Sequence, residues 1–394
     1  MRKISYITAG ESHGKGLTAI IEGLPSGFDI DIDRINKELE LRQMGIGRGN
    51  RMKIEKDKIE ILSGIIDKKT IGSPIALFIE NKDWDNWKDI INPEKVLKTK
   101  SVTQPRPGHA DLSGIIKYNF NDARYVLERS SARETAIRTA IGNICRQILE
   151  NFGINIYSYI KIFGGVELPD IDTEELKEKY LLLIKDSPYH NIIDNEIKEV
   201  INNLVNHTRQ QGDTLGGKIK LVITNVPIGL GSYVHWERKI DSILAQHVMS
   251  LQAIKSVEIG AGVEVANMKG SEVHDEIFLE NGKITRGTNN AGGIEGGMTN
   301  GEPIIISAAM KPIPTLMKPK YTFNILTGEK VLASTERSDV CALKAASIVL
   351  ENIIAIPLLD FILEKFGGDN KIEILKRYKQ FQEEINSYWN DGGR

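Results

Sequence analysis

The chain has 394 residues, with 51 basic and 53 acidic side chains, 41% hydrophobic and 26% charged residues. That mixture excludes disorder, collagen-like repeats and coiled-coil arrays, and a formal charge of -2 leaves no basic excess of the kind a nucleic-acid or lipid-surface binder shows. The two cysteines, Cys145 and Cys341, form no CxxC or zinc spacing, and neither a signal-peptide core nor a run of 18 apolar residues is found, so the expectation is a cytoplasmic chain without disulfide, metal box or membrane span.

In chain order, residues 3–10 and 17–22 read as strands around the turn GESHG (10–14), with GLPSG (23–27) as the next turn. Asp33 is placed to cap a helix reaching about Gln43, with Ile35 and Leu39 on one face. MGIGRGNRM (44–52) is a loop by composition, and 59–65 and 74–80 are strand candidates. Residues 101–124 show little periodicity and read as an extended loop around PRPGHAD (105–111). Ser131 and Glu134 have the spacing of a capping box, after which Ala136, Ile137, Ala140, Ile141, Ile144 and Ile148 share a helical face. Residues 154–165 look like a strand pair. The Lys-rich, acidic stretch 168–210 is helical in pattern and reads as an insertion on the main body.

Further on, 218–224 is a strand, and Ile240, Ile243, Leu244, Val248 and Leu251 mark a second helix, followed by a strand at Val257–Ile259. The six glycines of 286–302 preclude a regular element there. Pro303–Ala309 is a strand, Val340–Asn352 a third helix, and the charged tail after Gly368 a peripheral helix. Residues 20–40 and 222–245 share a strand, a P-x-G turn, a spacer and a helix, and GSPIALF (72–78) is echoed by GEPIIIS (301–307). This pattern predicts two similar halves packed face to face.

Arginine is placed unevenly. Ser101–Glu150 holds six Arg and one Lys, whereas Lys53–Lys100 holds ten Lys and no Arg, so the guanidinium cluster looks chosen for bidentate grip on phosphate or carboxylate. Several motifs present such groups. GESHG offers His13 in a tight turn, either as a general acid or as an incidental surface residue. Arg42, Arg48 and Arg51 border a Gly-rich loop that either converges on an anion or is a solvated basic loop. Pro105 and Pro107 stiffen the loop bearing Arg106 and His109. Arg129, Ser130, Ser131 and Arg133 surround a helix N-terminus, the arrangement a phosphate site requires; the bland alternative pairs the arginines with Glu128 and Glu134. Asp339 is either a helix cap or a carboxylate near a reacting centre, with Arg337 beside it, and Lys311–Thr315 is a rigid cationic turn. No nucleophile elbow, Walker loop or catalytic-cysteine signature is present. The residues thus point to a pocket for a highly anionic small molecule. A flavin-free phosphate-ester enzyme and an Arg-lined nucleotide or RNA binder are the competing readings, the latter disfavoured by 6% aromatics.

GESHG, RQMGIGRGNRM, PRPGHAD, DARYVLERSSARETA, GDTLGG, GGIEGGMTNGEPI, MKPIPT and ERSDVCA, in this order from about residue 4 to 353, resemble chorismate synthase. The resemblance implies a single α+β domain over 1–394, a β-α-β sandwich with internal duplication, a variable insertion at about 168–210 and a peripheral tail from about 368. It implies a homotetramer that releases phosphate from 5-enolpyruvylshikimate 3-phosphate by 1,4-anti-elimination, giving chorismate with reduced FMN and no net redox change. Carried over by motif, Arg42, Arg48, Arg106, Arg133 and Arg337 would hold the substrate's anionic groups. His13 would protonate the departing phosphate, His109 would sit at the reduced flavin, and Asp339 would assist transfer of the ring proton. FMN would be held by Arg129, Ser130, Ser131, Gln252, Ala253, Gly296, Lys311, Pro312, Ile313, Pro314, Thr315 and Arg337. NADPH enters only as an electron source, and an external flavin reductase is the expected partner, with no nucleic-acid or membrane partner.

Overall fold

Alternation of apolar and polar residues sets the first sheet. In the strand Gly16–Glu22, Leu17, Ala19 and Ile21 point to the core while Thr18, Ile20 and Glu22 face outward, and the strand Ile75–Glu80 repeats this with Ile75, Leu77 and Ile79 inside. The computed structural model describes residues 3–48, 56–92, 94, 101–179, 187–190, 192, 194–280, 283–333 and 339–388. Its main elements are β1 (Ser5–Ala9), β2 (Gly16–Glu22), α1 (Ile32–Gln43), β3 (Ile59–Ile61), β4 (Ile75–Glu80), α2 (Asp111–Tyr118), α3 (Arg124–Ser130), α4 (Thr135–Glu150), β5 (Asn155–Phe163) and β6 (Val166–Glu167). They continue with α5 (Thr173–Lys179), α6 (Asn195–Gln210), β7 (Gly217–Thr224), α7 (Ile240–Met249), β8 (Ile254–Ile259), β9 (Ile304–Met310), α8 (Leu343–Ile353), α9 (Ala355–Phe366) and α10 (Lys371–Tyr388).

The first sheet has the order β1-β2-β4-β3 and the second β8-β9-β7-β5-β6, with every pairing antiparallel. Setting aside the two-residue β6, both sheets place their first, second, fourth and third strands side by side in that order. A helix follows the second strand in each half, α1 after β2 and α7 after β7. The repeat read from 20–40 and 222–245 is therefore present in the topology.

The helices fill the space between the sheets. α4 packs on β2 and β4 on one side, on β5 on the other, and against α1, α8 and α9. Every residue from Thr135 to Leu149 is consequently buried, and Gly142 lets α4 meet α8, where an added Cβ would lie 2.1 Å from the Asn352 carbonyl oxygen. The fold is a β-α-β sandwich of the α+β class. The two outer faces differ. The first sheet leaves Ile7 and Ile20 69% and 50% exposed. On the second, α5 buries Leu176 against Tyr159 and Val222.

Several elements depart from the sequence expectations. Asp31, not Asp33, caps α1, accepting from the amides of Asp33 and Arg34. Residues 154–165 hold one long strand, β5 (Asn155–Phe163), rather than a pair. The supposed extended loop 101–124 contains α2 and the start of α3. These helices are short, and their order comes from side chains: Asp122 Oδ1 accepts from the amides of Val102 and Arg124, both at 2.8 Å. Within 168–210, Ile201 and Val205 of α6 enter the main core. The tail helix α10 docks through Ile374 and Tyr378. α9, which periodicity alone did not mark, continues α8. Residues Leu343–Phe366 together are long and apolar enough to cross a membrane by length and composition, but they are mostly buried within the protein, so their apolarity is that of a core.

Candidate functional site

Arg42 lies in the last turn of α1 and Arg133 in the short turn that leads into α4, so the packing of α1 on α4 brings them together. Arg42 Nε donates to Thr135 Oγ1 at 3.0 Å and Nη2 to the Ala132 carbonyl at 3.0 Å. Arg133 Nη1 donates to Asp57 Oδ2 at 2.7 Å and its Nε to Asn81 Oδ1 at 2.9 Å. Arg42 Nη1 reaches the same Asp57 oxygen only at 3.6 Å and makes no hydrogen bond among the described residues. One buried carboxylate thus serves two buried guanidinium groups, leaving local positive charge. Burial, together with the neighbouring Arg133 and Arg48 charges, pushes the Arg42 guanidinium down to about 10 despite Asp57. Arg48 donates to Asp339 Oδ2 at 2.6 Å, and burial lowers its guanidinium against the pull of that carboxylate. The Arg48 loop is seated by the Val340 amide on the Gly47 carbonyl, 2.8 Å, and Gly47 has φ +83° with the Cys341 amide nitrogen 3.1 Å from where a Cβ would stand.

The GESHG turn lies beside this cluster. The Asn81 amide donates to the carbonyls of Glu11, Ser12 and Gly14, while its oxygen accepts from Arg133, so one side chain couples the turn to the arginines. Ser12 donates to Ser131 Oγ at 3.1 Å. His13 is buried; its backbone amide donates to Glu128 Oε2 at 2.9 Å, its Nδ1 is 2.9 Å from Glu128 Oε1, and its ring stacks on Trp87 with centroids 4.0 Å apart.

A second group forms around PRPGHAD. Arg106 grips Asp111 through Nε and Nη2, at 2.8 and 3.1 Å. His109 places Nδ1 3.3 Å from the Pro107 carbonyl and Nε2 3.2 Å from Thr315 Oγ1. A carbonyl only accepts, so Nδ1 carries the hydrogen and Nε2 accepts from Thr315. Burial first, then the Arg106 charge, lowers the His109 imidazole and keeps it neutral at pH 7. Lys311 Nζ donates to the Gly108 carbonyl at 2.7 Å, and the Lys311 amide to Ala253 O at 2.9 Å. Ala253 has φ +72°, a left-handed conformation costly for a residue with a Cβ. The GDTLGG turn joins the two groups: Thr214 Oγ1 holds the Ile313 carbonyl at 2.6 Å, and the Leu215 amide holds that of Val340 at 2.8 Å.

The remaining expected residues divide. Ser131 caps the Arg133 amide, but the capping box does not close, because Glu134 turns away to accept from Thr8 Oγ1 at 3.2 Å and Gln252 Nε2 at 3.5 Å. Arg129 is exposed and donates to the Thr8 carbonyl and hydroxyl, with Ser130 half-buried beside it. Gln252 Oε1 is buried without a hydrogen-bond partner among the described residues. Gly296 sits in a tight turn whose neighbour Gly297 accepts from the Ile240 amide, at the start of α7. Gln252 and Ala253 follow the other end of that helix, about 15 Å away for ten residues, so one chain does not bring these three together. Arg51 and Arg337 lie outside the described residues. The sequence reading missed Asp57, Asn81 and Trp87 as members of the site; nothing in their local sequence distinguishes them, since each acts through contacts distant in the chain.

The model of the family described as chorismate synthase matches residues 4–363, nearly the whole sandwich. The chain belongs to the chorismate synthase family. A chorismate synthase of Alkaliphilus metalliredigens is 51% identical over 379 residues, covering 95% of this chain and 98% of its own, and one of Aquifex aeolicus is 48% identical over 401 residues, covering 98% and 100%. A crystal structure of chorismate synthase superposes with a TM-score of 0.76 at 40% identity, over 98% of this chain and all of that one. As a member of the chorismate synthase family, the chain is an enzyme, a lyase acting on a phosphate ester.

Proposed function

We propose that the chain converts 5-enolpyruvylshikimate 3-phosphate to chorismate by 1,4-anti-elimination of phosphate, with reduced FMN required and not consumed. The observation that carries this reading is the cluster of Arg42, Arg133 and Arg48, in which, among the described residues, three guanidinium groups share two directly paired aspartates, Asp57 and Asp339, with Glu134 a weaker influence on Arg42, so that a polyanion finds cations to pair with. Phosphate departs only if its growing charge is met, and guanidinium groups fixed in a dry site meet it without reorganisation. His13 stands beside Arg133 through Asn81, where it can give a proton to the leaving oxygen. Arg106 and neutral His109 form the opposite group, with His109 held as a proton acceptor at Nε2.

The residues fit a flavin phosphate and ring. The orphaned Gln252 Oε1, the hydroxyls of Ser130, Ser131 and Thr315, and the cations of Arg129 and Lys311 supply the donors and acceptors such a group needs, and Ala253 lies among them. Reduced FMN, when bound, supplies an electron-rich partner for a ring that is losing a weakly acidic hydrogen. NADPH has a place only as a source of electrons, and an external reductase supplies them. The apolar outer face of the first sheet, with Ile7 and Ile20 exposed, suits burial in a homotetramer, whose mass light scattering measures. Anaerobic titration with FMN and substrate, followed by absorbance and phosphate release, tests the reaction. Release of phosphate that does not depend on reduced flavin, or no release at all, overturns the reading.

A further inference from the structure

We propose that Glu128 is the positioning residue for His13, fixing the ring with its hydrogen on Nδ1 and presenting Nε2 to the ligand. The proposal rests on the reading of His13 as the acid at the departing phosphate. Glu128 holds the turn at three points: its carbonyl accepts from the Ser12 amide at 2.9 Å, Oε2 accepts from the His13 amide at 2.9 Å, and Oε1 stands 2.9 Å from His13 Nδ1. A carboxylate can only accept, so the shared hydrogen sits on Nδ1. Both partners are buried, with side chains 10% and 7% exposed, so neither is free to turn to solvent instead. Trp87 stacks on the ring face and closes the remaining rotation, anchored by its own Nε1 on Asp83 Oδ2 at 2.9 Å.

The charges around the pair favour this state. Burial alone would raise the Glu128 carboxyl, but the hydrogen bonds and charge of His13, followed by Arg124, outweigh it and hold the group below the usual carboxylate range, ionised at neutral pH. Arg124 on α3 lies 3.5 Å from Glu128 Oε1 and over the Trp87 ring at 5.2 Å. Arg133 approaches from the α4 side through Asn81, while Glu11 of the same turn and Asp83 behind Trp87 bear the other negative charges. With Glu128 removed, the imidazole keeps two cationic neighbours and loses the one anion bonded to it. The ring is then no longer tied to one tautomer.

The test uses the isosteric variant Glu128→Gln, whose oxygen can keep the His13 backbone amide while its NH2 group faces Nδ1, so that the hold on the Nδ1–H tautomer is lost. The seven histidines are labelled with nitrogen-15 and His13 is assigned by its absence in His13→Asn. In the wild type the neutral ring is expected as the Nδ1–H form, and in the variant as a mixture. Turnover measured by phosphate release should fall on the order of 100-fold in kcat with KM changed less than about threefold, and Glu128→Asp should recover part of the loss. An Nε2–H ring in the wild type, an unaltered tautomer in Glu128→Gln, or an unchanged kcat overturns the proposal. The tautomer is read on the protein without substrate, so it decides the hold of Glu128 on His13 even if wild-type phosphate release fails and the reading of the reaction falls with it.

Discussion

Replacing Arg42 by Met should leave the unliganded protein as stable as before or more stable, and should cripple ligand binding. The folded environment lowers the Arg42 guanidinium from its ordinary value to about 10, which at 1.36 kcal/mol per unit is a penalty of about 3 kcal/mol for keeping it charged. The sign follows from proton linkage. A base held less tightly in the fold than in the unfolded chain destabilises at every pH below its folded value, so the whole penalty is present at pH 7. Against it stand the hydrogen bonds to Thr135 and Ala132, about 0.5–1.5 kcal/mol each. Thr135 Oγ1 still donates to the Ala132 carbonyl at 2.7 Å, Asp57 keeps Arg133 at 2.7 Å, and Met fills most of the volume of the arginine stem. The net expectation is a gain between about 0 and 2 kcal/mol, read from urea unfolding at fixed protein concentration. Loss of one member of a desolvated charge contact costs about 2 kcal/mol or more, hence affinity for the phosphate substrate should fall about 30-fold or more by calorimetry. A variant destabilised by more than about 1 kcal/mol, or one that binds substrate as the wild type does, would refute the view that Arg42 is kept for an anion at the expense of stability.

Three further outcomes follow from the same structure. His109 is lowered below its ordinary 6.5 by burial and by Arg106, so the fold binds its proton less well than the unfolded chain, and stability should be full above about pH 6.5 and decline as pH falls below it; His109→Asn should flatten urea midpoints across that window, and an unchanged slope sinks the argument. Ala253→Gly relieves the left-handed backbone strain of about 1–2 kcal/mol while adding about 0.5–1 kcal/mol of chain entropy, so unfolding should show a change between about 0 and 1.5 kcal/mol on the stabilising side. A larger loss would mean that φ +72° carries no strain. Gly142→Ala places a Cβ 2.1 Å from the Asn352 carbonyl, and despite the roughly 1 kcal/mol better helix propensity of Ala it should cost about 2 kcal/mol or more as α4 and α8 are forced apart; a neutral result would show that the crossing has slack.

The long amphipathic or fully apolar elements were legible because their stability comes from a face that the sequence displays. α4, α7 and the strands flanking the duplication are of this kind. α2 and α3 were not, since Asp122 and Asp111 organise them through backbone amides and a guanidinium rather than through a periodic stripe. α9 escaped because Asp360 interrupts its apolar run, yet that carboxylate is satisfied by the amides of Lys3 and Ile4. Ser131 and Glu134 announced a capping box, but Glu134 found Thr8 and Gln252, partners more than 100 residues away in the chain, and tertiary contact overrode the local pattern.

The arginines could be picked out from their uneven placement, whereas their counter-ions could not. Arg133 with Asp57, Arg48 with Asp339 and Arg106 with Asp111 are pairs of which only the last is local. A cleft of buried guanidinium groups without carboxylates would repel itself apart before a ligand arrived, at about 4 kcal/mol for each contact near 4 Å in a moderately polar interior. Full neutralisation would remove the attraction for a polyanion. Asp57 shared by two arginines, and Arg42 Nη1 without a hydrogen bond among the described residues, set the balance between these limits: the cluster holds together, and a bound phosphate can still gain a buried donor.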